Sequence, residues 1–387
     1  MTLLLSFLSF LILTLTLLEL SLPLLTNRYS AYFRQGIAPA SLKAEEARRF
    51  VSSKTFDPEL GWDKDPIARN YVGGKRYFAQ SYGDSFVEGV EVGPDHTWQA
   101  QFERLTGEAI LNLGVGGYGL DQAVLKFEKY GRGYPTRVAV LGLYSQTYRR
   151  ALSYYPFYYF ANSDAYTFAF KPIFVKRDGR FELIRPPCAD AACLMEVLSN
   201  PGHPIWRLVS THDYWYQSNQ KKPTTGFPMT IKYAQVLPQI LRERREQRGV
   251  ENYFFVNAES FELVEYLIER FVKYSREIGM TPVCLLLYAP TDLRIIKAGI
   301  RLDDKLLALL KKRNIPHIDT APYILGQYRQ DDDFMGLSAP KGHLNERGNQ
   351  LVAESLVQGL ASIAPLGALK NASAFLSPPV FTVGRVE

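Results

Sequence analysis

Residues 77–89 read Tyr-Phe-Ala-Gln-Ser-Tyr-Gly-Asp-Ser-Phe-Val-Glu-Gly, a short apolar run followed by Gly83-Asp84-Ser85. The pattern predicts a strand that turns directly into a helix. A serine at such a junction is well placed to be a nucleophile, because a helix N-terminus offers unpaired backbone N–H groups and a partial positive charge. Both favour a developing oxyanion. Asp84 or Ser85 suits a plain helix N-cap equally well, so the tripeptide alone does not decide its use.

The same rhythm repeats downstream. Residues 97–105 form a helical stretch with Thr97 as N-cap, 109–113 a second short strand, 120–130 a helix, and 137–144 a third strand rich in Val and Leu. It resumes with an amphipathic helix at 261–276, a strand at 281–288, a helix at 302–313, a short strand at 315–318 and a closing helix at 346–360. Strands alternating with helices predict an α/β fold whose parallel sheet is covered on both faces. Between about 150 and 252 the period is lost, and aromatic clusters such as Tyr154-Tyr155-Pro156-Phe157-Tyr158-Tyr159-Phe160 take over. A structureless loop of that length is improbable, so this insertion is expected to carry helices and hairpins of its own.

Three further blocks accompany Ser85. Asn112-Leu113-Gly114-Val115-Gly116-Gly117-Tyr118-Gly119 follows the second strand. Its glycines allow close backbone approach and positive φ, or simply a tight strand-to-helix turn. A dinucleotide fingerprint is a poor match, since this is not the first βα unit and no acidic residue ends the next strand. Ser145-Gln146-Thr147 leaves the third strand and can aim an amide at the same edge, or be an ordinary strand end. Gly342-His343-Leu344-Asn345 precedes the closing helix. A loop histidine there suits a general base, because imidazole titrates near neutral pH. The other histidines, His96, His203, His212 and His317, have no such setting.

Composition bounds the rest. The 387 residues, 47% of them hydrophobic, suffice for one large α/β domain. The net charge of +6 suits anionic surfaces, but no dense Lys/Arg run with interleaved aromatics points to nucleic acid. No His/Cys set has metal-ligand spacing, and no cofactor is expected. Residues 2–25 are almost continuously apolar, with Glu19 as the one charge, and are expected to be a single-pass membrane anchor (1–26) ahead of a stalk and entry segment at 27–75 that includes a helix at 38–50. The catalytic domain then spans 76–365, and 366–387 form a loose tail. Arg28, Arg34 and Lys43 favour a cytoplasmic domain by the positive-inside rule. Cys188 and Cys193 pull the other way if they pair, although two thiols fit the spacing as well. The balance is taken as extracytoplasmic. Cys284, inside an apolar run, reads as core.

Taken together and in order, GDSF, NLGVGGYG, the strand-end amide and GHLNERGN resemble blocks I, II, III and V of the SGNH (GDSL-type) hydrolases over residues 77–360, the insertion excepted. The apolar N-terminus and Asp57-Pro58-Glu59-Leu60-Gly61-Trp62 resemble its membrane-anchored bacterial branch. The resemblance implies a flavodoxin-like three-layer α/β/α sandwich. It implies Ser85 as nucleophile, His343 as base, and an oxyanion hole of the Ser85 and Gly117 N–H groups plus the block III side chain. Two positions depart from the family. The block III residue is Gln146 rather than Asn, and the acid's place three residues before the histidine is Pro340, followed by Lys341. Asp331, Asp332 and Asp333 lie near in sequence, with Asp333 as the candidate acid, while a backbone carbonyl would instead leave a Ser–His dyad.

The expected function is therefore a serine esterase or acyltransferase acting on a small acyl ester, acetyl first, of an exported or cell-surface glycan. The aromatic insertion supplies stacking surfaces for sugar rings or, alternatively, a second apolar cluster. Two rivals stand beside it: a non-catalytic helper of a membrane-bound acyltransferase, and a lipase or thioesterase.

Overall fold

The computed structural model describes residues 2–26, 56–63, 70–160, 169–222, 228–245, 255–301, 303–328 and 334–363. The helix expected at 38–50, Asp331 to Asp333 and the tail expected after 365 lie outside them. In chain order the regular elements begin with α1 (Thr2–Thr26), β1 (Phe56–Asp57), β2 (Gly61–Trp62), β3 (Ala79–Tyr82), α2 (Ser85–Glu88), α3 (Trp98–Thr106) and β4 (Ile110–Asn112). Then come α4 (Leu120–Tyr130), β5 (Val138–Leu143), α5 (Ser145–Arg150), α6 (Phe157–Phe160), β6 (Ile173–Arg177) and β7 (Arg180–Ile184). The insertion continues with α7 (Ala191–Ser199), α8 (Trp206–His212), α9 (Tyr214–Gln220) and α10 (Met229–Arg245). The chain closes with α11 (Ala258–Glu277), β8 (Thr281–Leu286), α12 (Pro290–Lys297), α13 (Asp304–Lys312), β9 (His317–Asp319), α14 (Thr320–Gly326) and α15 (Glu346–Ile363).

These elements fall into two units, 53–152 with 171–186 and 251–387, and 1–52 with 153–170 and 187–250. The first holds a five-stranded parallel sheet in the order β4-β3-β5-β8-β9. Numbered along the chain this is 2-1-3-4-5, the flavodoxin-like order, whose reversal next to β3 opens a crevice at the carboxyl ends of the strands. All six residues of β5 are buried, as a central strand between two helical layers requires. Helix α3 packs against α15, and α4 against α11. The reason is periodic: Leu263, Val264, Leu267, Ile268, Phe271 and Val272 make one buried stripe along α11. Burying each such side chain contributes roughly 1.5–3 kcal/mol. Trp98 and Phe102 do the same for α3, as Phe127 does for α4. Cys284 lies fully buried in β8, and burial pushes its thiol up to about 12.

Residues 56–63, expected in the stalk, instead form the β1–β2 hairpin of the sheet unit, with Leu60 and Trp62 buried. Trp62 Nε1 donates to Gly116 O at 3.1 Å, and Tyr118 Oη donates to Trp62 O at 2.7 Å. Two buried ion pairs, Lys126–Asp63 and Lys171–Asp121, stand behind this hairpin and α4. The β6–β7 hairpin packs on α11 through Phe174 and Phe181 against Tyr266.

The second unit carries the rest of the insertion, with helices of its own. Cys188 and Cys193 form a disulfide, their Cα atoms 5.3 Å apart, at the start of α7. Asp213 caps α9 and is fully buried; its carboxylate accepts from Tyr154 N, Tyr155 N, Tyr216 N and Ser153 Oγ. Around it Tyr155, Phe170 and Trp206 meet ring to ring. The expectation of a membrane-spanning helix is not met: among the described residues no helix is long and apolar enough to cross a membrane. The apolar run of α1 is interrupted by Glu19, whose carboxylate is held by the Met229 and Thr230 N–H groups at the start of α10.

Candidate active site

Ser85 stands at the first turn of α2, directly beyond the carboxyl end of β3. Asp84 caps this helix, its Oδ1 accepting from Phe86 N at 3.0 Å. The helix lasts four residues, because Gly89 takes a left-handed conformation (φ +71°) that other residues adopt only with strain. That turn reverses the chain and brings Glu91 back towards the nucleophile.

His343 arrives from the other end of the sequence. Its loop is folded on itself by the Ala339 N to His343 O bond (2.7 Å) and the Asn345 N to Leu337 O bond (2.9 Å). Asn349 fastens it from α15: Nδ2 donates to Leu344 O at 3.0 Å, while Oδ1 accepts from Trp98 N at 3.1 Å. Trp98 in turn donates to Phe86 O at 3.3 Å, so the tight packing of α3 on α15 carries the histidine to the nucleophile helix. There His343 Nε2 lies 2.9 Å from Ser85 Oγ, and Nδ1 lies 2.6 Å from Glu91 Oε2. A carboxylate facing Nδ1 fixes the tautomer with the proton on Nδ1, which leaves Nε2 free to accept from the serine hydroxyl.

The sequence reading missed Glu91. Its role was sought just before the histidine, where Pro340 and Lys341 have no accepting side chain. The candidate Asp333 lies outside the described residues, and the orienting position on Nδ1 is taken by Glu91. The usable signal was the Gly89 turn two residues ahead of a second glutamate. Glu91 also accepts from Lys341 N at 2.7 Å and from His343 N at 3.1 Å. Burial works to raise its carboxyl, but these donors and the imidazole outweigh burial and hold it below the ordinary carboxylate value.

The glycine-rich turn after β4 is bound to α2. Gly116 N donates to the buried Glu88 carboxylate at 2.6 Å, Asn112 Nδ2 to Glu88 O at 3.1 Å, and Val115 N to Gly83 O at 3.1 Å. Gly117 sits at the next position with φ +81°, again a glycine conformation, half-buried beside these anchors. Gln146 occupies the first turn of α5, and β5 runs parallel to β3 with Leu141 opposite Tyr82. The structure thus gathers the segments bearing Ser85, His343, Gly117 and Gln146 at one carboxyl edge. His96 instead faces Glu346, and His317 Nδ1 faces Ile315 O. Among the described residues no three His, Cys, Asp or Glu side chains are grouped to hold a metal ion.

Chemically, this is a nucleophile, a base and an orienting carboxylate in one hydrogen-bonded line. No known family model matches the sequence, and no curated protein matches it. Among solved structures it is similar to a member of the lipolytic G-D-S-L family from Veillonella parvula, with 12% identity over 74% of this chain and 98% of that one at a TM-score of 0.36. It is also similar to TesA, with 9% identity over 74% and 98% of the two chains at a TM-score of 0.36. A third likeness is to a G-D-S-L family protein from Desulfitobacterium hafniense, with 10% identity over 72% and 96% at a TM-score of 0.35.

Proposed function

We propose that this chain is a serine esterase or acyltransferase that takes a small acyl group, acetyl first, from an ester through a Ser85 acyl-enzyme. The observation that carries the reading is the line Ser85 Oγ–His343–Glu91, at 2.9 and 2.6 Å. Ser85 Oγ attacks the ester carbonyl, and its proton passes to His343 Nε2. The imidazolium formed is stabilised by Glu91 through Nδ1–H. The Ser85 and Gly117 N–H groups and the Gln146 amide receive the oxyanion. When the intermediate collapses, Nε2 returns the proton to the departing alkoxide. Water or an acceptor hydroxyl then attacks the acyl-enzyme, with His343 as base once more.

A helper without catalysis rested on two departures, the missing acid and the Gln146 amide, and Glu91 beside the imidazole answers the first. The acceptor or ester-bearing molecule we favour is an exported or cell-surface glycan. Supporting it are the half-buried aromatic rings of Tyr158, Tyr159, Trp215 and Tyr216, a surface suited to sugar stacking. The Cys188–Cys193 disulfide supports an oxidising, extracytoplasmic setting. Exposed Phe7, Phe10, Leu13 and Leu20 on α1 support attachment to a membrane, where a membrane-bound acyltransferase would be a fitting partner.

The test is turnover of a generic acetyl ester together with labelling by a fluorophosphonate, in wild type and Ser85→Ala. Wild type should turn over and label at Ser85, and the variant should do neither. Equal turnover by the two proteins overturns the assignment. A strong preference for long acyl chains would move the reading to a lipase or thioesterase.

A further inference from the structure

Beyond the nucleophile, base and acid, one charged side chain touches the surroundings of every arm assigned to the oxyanion hole. We propose that Arg150 is a positioning residue that keeps those three arms in register and neutralises the carboxylate next to the nucleophile. The proposal rests on the esterase reading of the same site.

Arg150 is the last residue of α5, one turn beyond Gln146 on the same helix. Its Nη1 donates to Asp84 Oδ2 at 2.9 Å and to Tyr118 O at 3.2 Å. Asp84 immediately precedes Ser85, and its other oxygen is already committed to the Phe86 N–H at the start of α2. Tyr118 immediately follows Gly117. A single nitrogen therefore joins the neighbour of the first arm to the neighbour of the second, from the helix that carries the third. The backbones are pressed together at the same place: a Cβ on Gly119 would lie 3.0 Å from Ala151 N and 3.1 Å from Arg150 C. The glycine turn and the end of α5 thus leave no room for a side chain between them.

Charge acts at the same place. Asp84 is almost fully buried, at 1% exposure, and adjoins Ser85, on whose adduct the substrate's carbonyl oxygen takes up negative charge. A bare carboxylate there would oppose the oxyanion. The guanidinium cancels that charge in the ground state and in the transition state alike, but its absence is felt most when the oxyanion forms. Loss of Arg150 should therefore fall on kcat and leave KM nearly unchanged. The line from Ser85 to His343 and Glu91 does not pass through Arg150, so the pH profile should keep its shape.

The experiment measures the rate of Ser85 phosphonylation by a fluorophosphonate, kcat and KM on an acetyl ester, and the thermal midpoint. The proteins are wild type, Arg150→Met, Arg150→Lys and Arg150→Met combined with Asp84→Asn. Arg150→Met should lower phosphonylation and kcat roughly 10- to 100-fold with KM within about two-fold. Arg150→Lys should recover part of the rate. Removing the stranded charge in the double variant should raise the rate several-fold above Arg150→Met, a coupling that a merely structural role would not produce. Wild-type rates in Arg150→Met, or no recovery in either companion, overturn the proposal. If Arg150→Met does not fold, Arg150→Lys decides, because a kcat equal to wild type with the guanidinium replaced by a shorter-reaching ammonium also overturns it. Failure of the wild-type protein to label at Ser85 sinks the esterase reading and this role with it. Labelling of wild type and Arg150→Met at one rate sinks this role alone.

Discussion

Two short stretches, 83–91 and 338–345, build the site in opposite ways. The first supplies the Ser85 hydroxyl and the Glu91 carboxylate that flank the imidazole, nucleophile and orienting acid of the proposed reaction, and it does so by continuing a buried central strand into a four-residue helix and one glycine turn. The second supplies one imidazole from a loop. That loop is held by its own backbone bonds, by Asn349, and by Glu91 of the first stretch through the Lys341 and His343 N–H groups. Glu91 is thus both the partner of the imidazole and the clasp that closes the loop on the nucleophile. Because Ser85 and Glu91 share one stretch, their hydrogen-bonded line with His343 needs a single long-range meeting, while Gly117 and Gln146 arrive from two further segments.

The largest effects should follow removal of one member of each stretch. Ser85→Ala and His343→Ala should each lower kcat by roughly 10⁵- to 10⁶-fold, and the double variant should be no worse than either. Additive losses in steady-state kinetics would mean that the two residues do not act as a unit. Next in size is Glu91→Gln, which keeps the shape but cannot hold the imidazolium or fix its tautomer. A loss of roughly 10²- to 10⁴-fold in kcat is expected, and an unchanged kcat would return the acid's role to another group.

A smaller effect separates the clasp from the chemistry. The folded-state pKa of Glu91 is depressed below its ordinary value of 4.5, so its pairing stabilises the fold fully above that value and fades as pH falls through the depressed one. Denaturant melts should show Glu91→Gln less stable than wild type at neutral pH, with the gap closing in acid. A gap that widens in acid would contradict the sign. Asp213 marks the contrast, since it collects three backbone N–H bonds against the two of Glu91 yet is raised, because complete burial outweighs them. The smallest effect on turnover should come from the other unit. Cys188→Ser is expected to cost about 2 kcal/mol of stability, from the entropy of a short loop, with turnover of a soluble acetyl ester kept. A large loss of turnover without unfolding would tie that unit to the chemistry.

Much of this was legible in the chain itself. The apolar runs at 77–82, 109–113 and 137–144 announced three parallel strands, and the amphipathic pattern of 261–276 announced a helix that covers them. Ser85, Gly117 and His343 stood out because glycine and histidine at strand and helix ends are few and have few uses. Residues 56–63 were misread as stalk because a two-residue hairpin carries no period, and only burial of Trp62 against the glycine turn gives it a place.

The alternation and the sheet's parallel sense could be read from the chain alone, as could Ser85 and His343 as candidates for nucleophile and base, since these follow from local periodicity and from residue chemistry. Only the tertiary structure decided that Glu91 faces the imidazole, that Arg150 reaches Asp84 and Tyr118, and that Cys188 pairs with Cys193. Those are distances between side chains, set by a left-handed turn at Gly89 and by helices packed across the sheet. A linear pattern holds no record of which of several nearby carboxylates such packing will bring within reach.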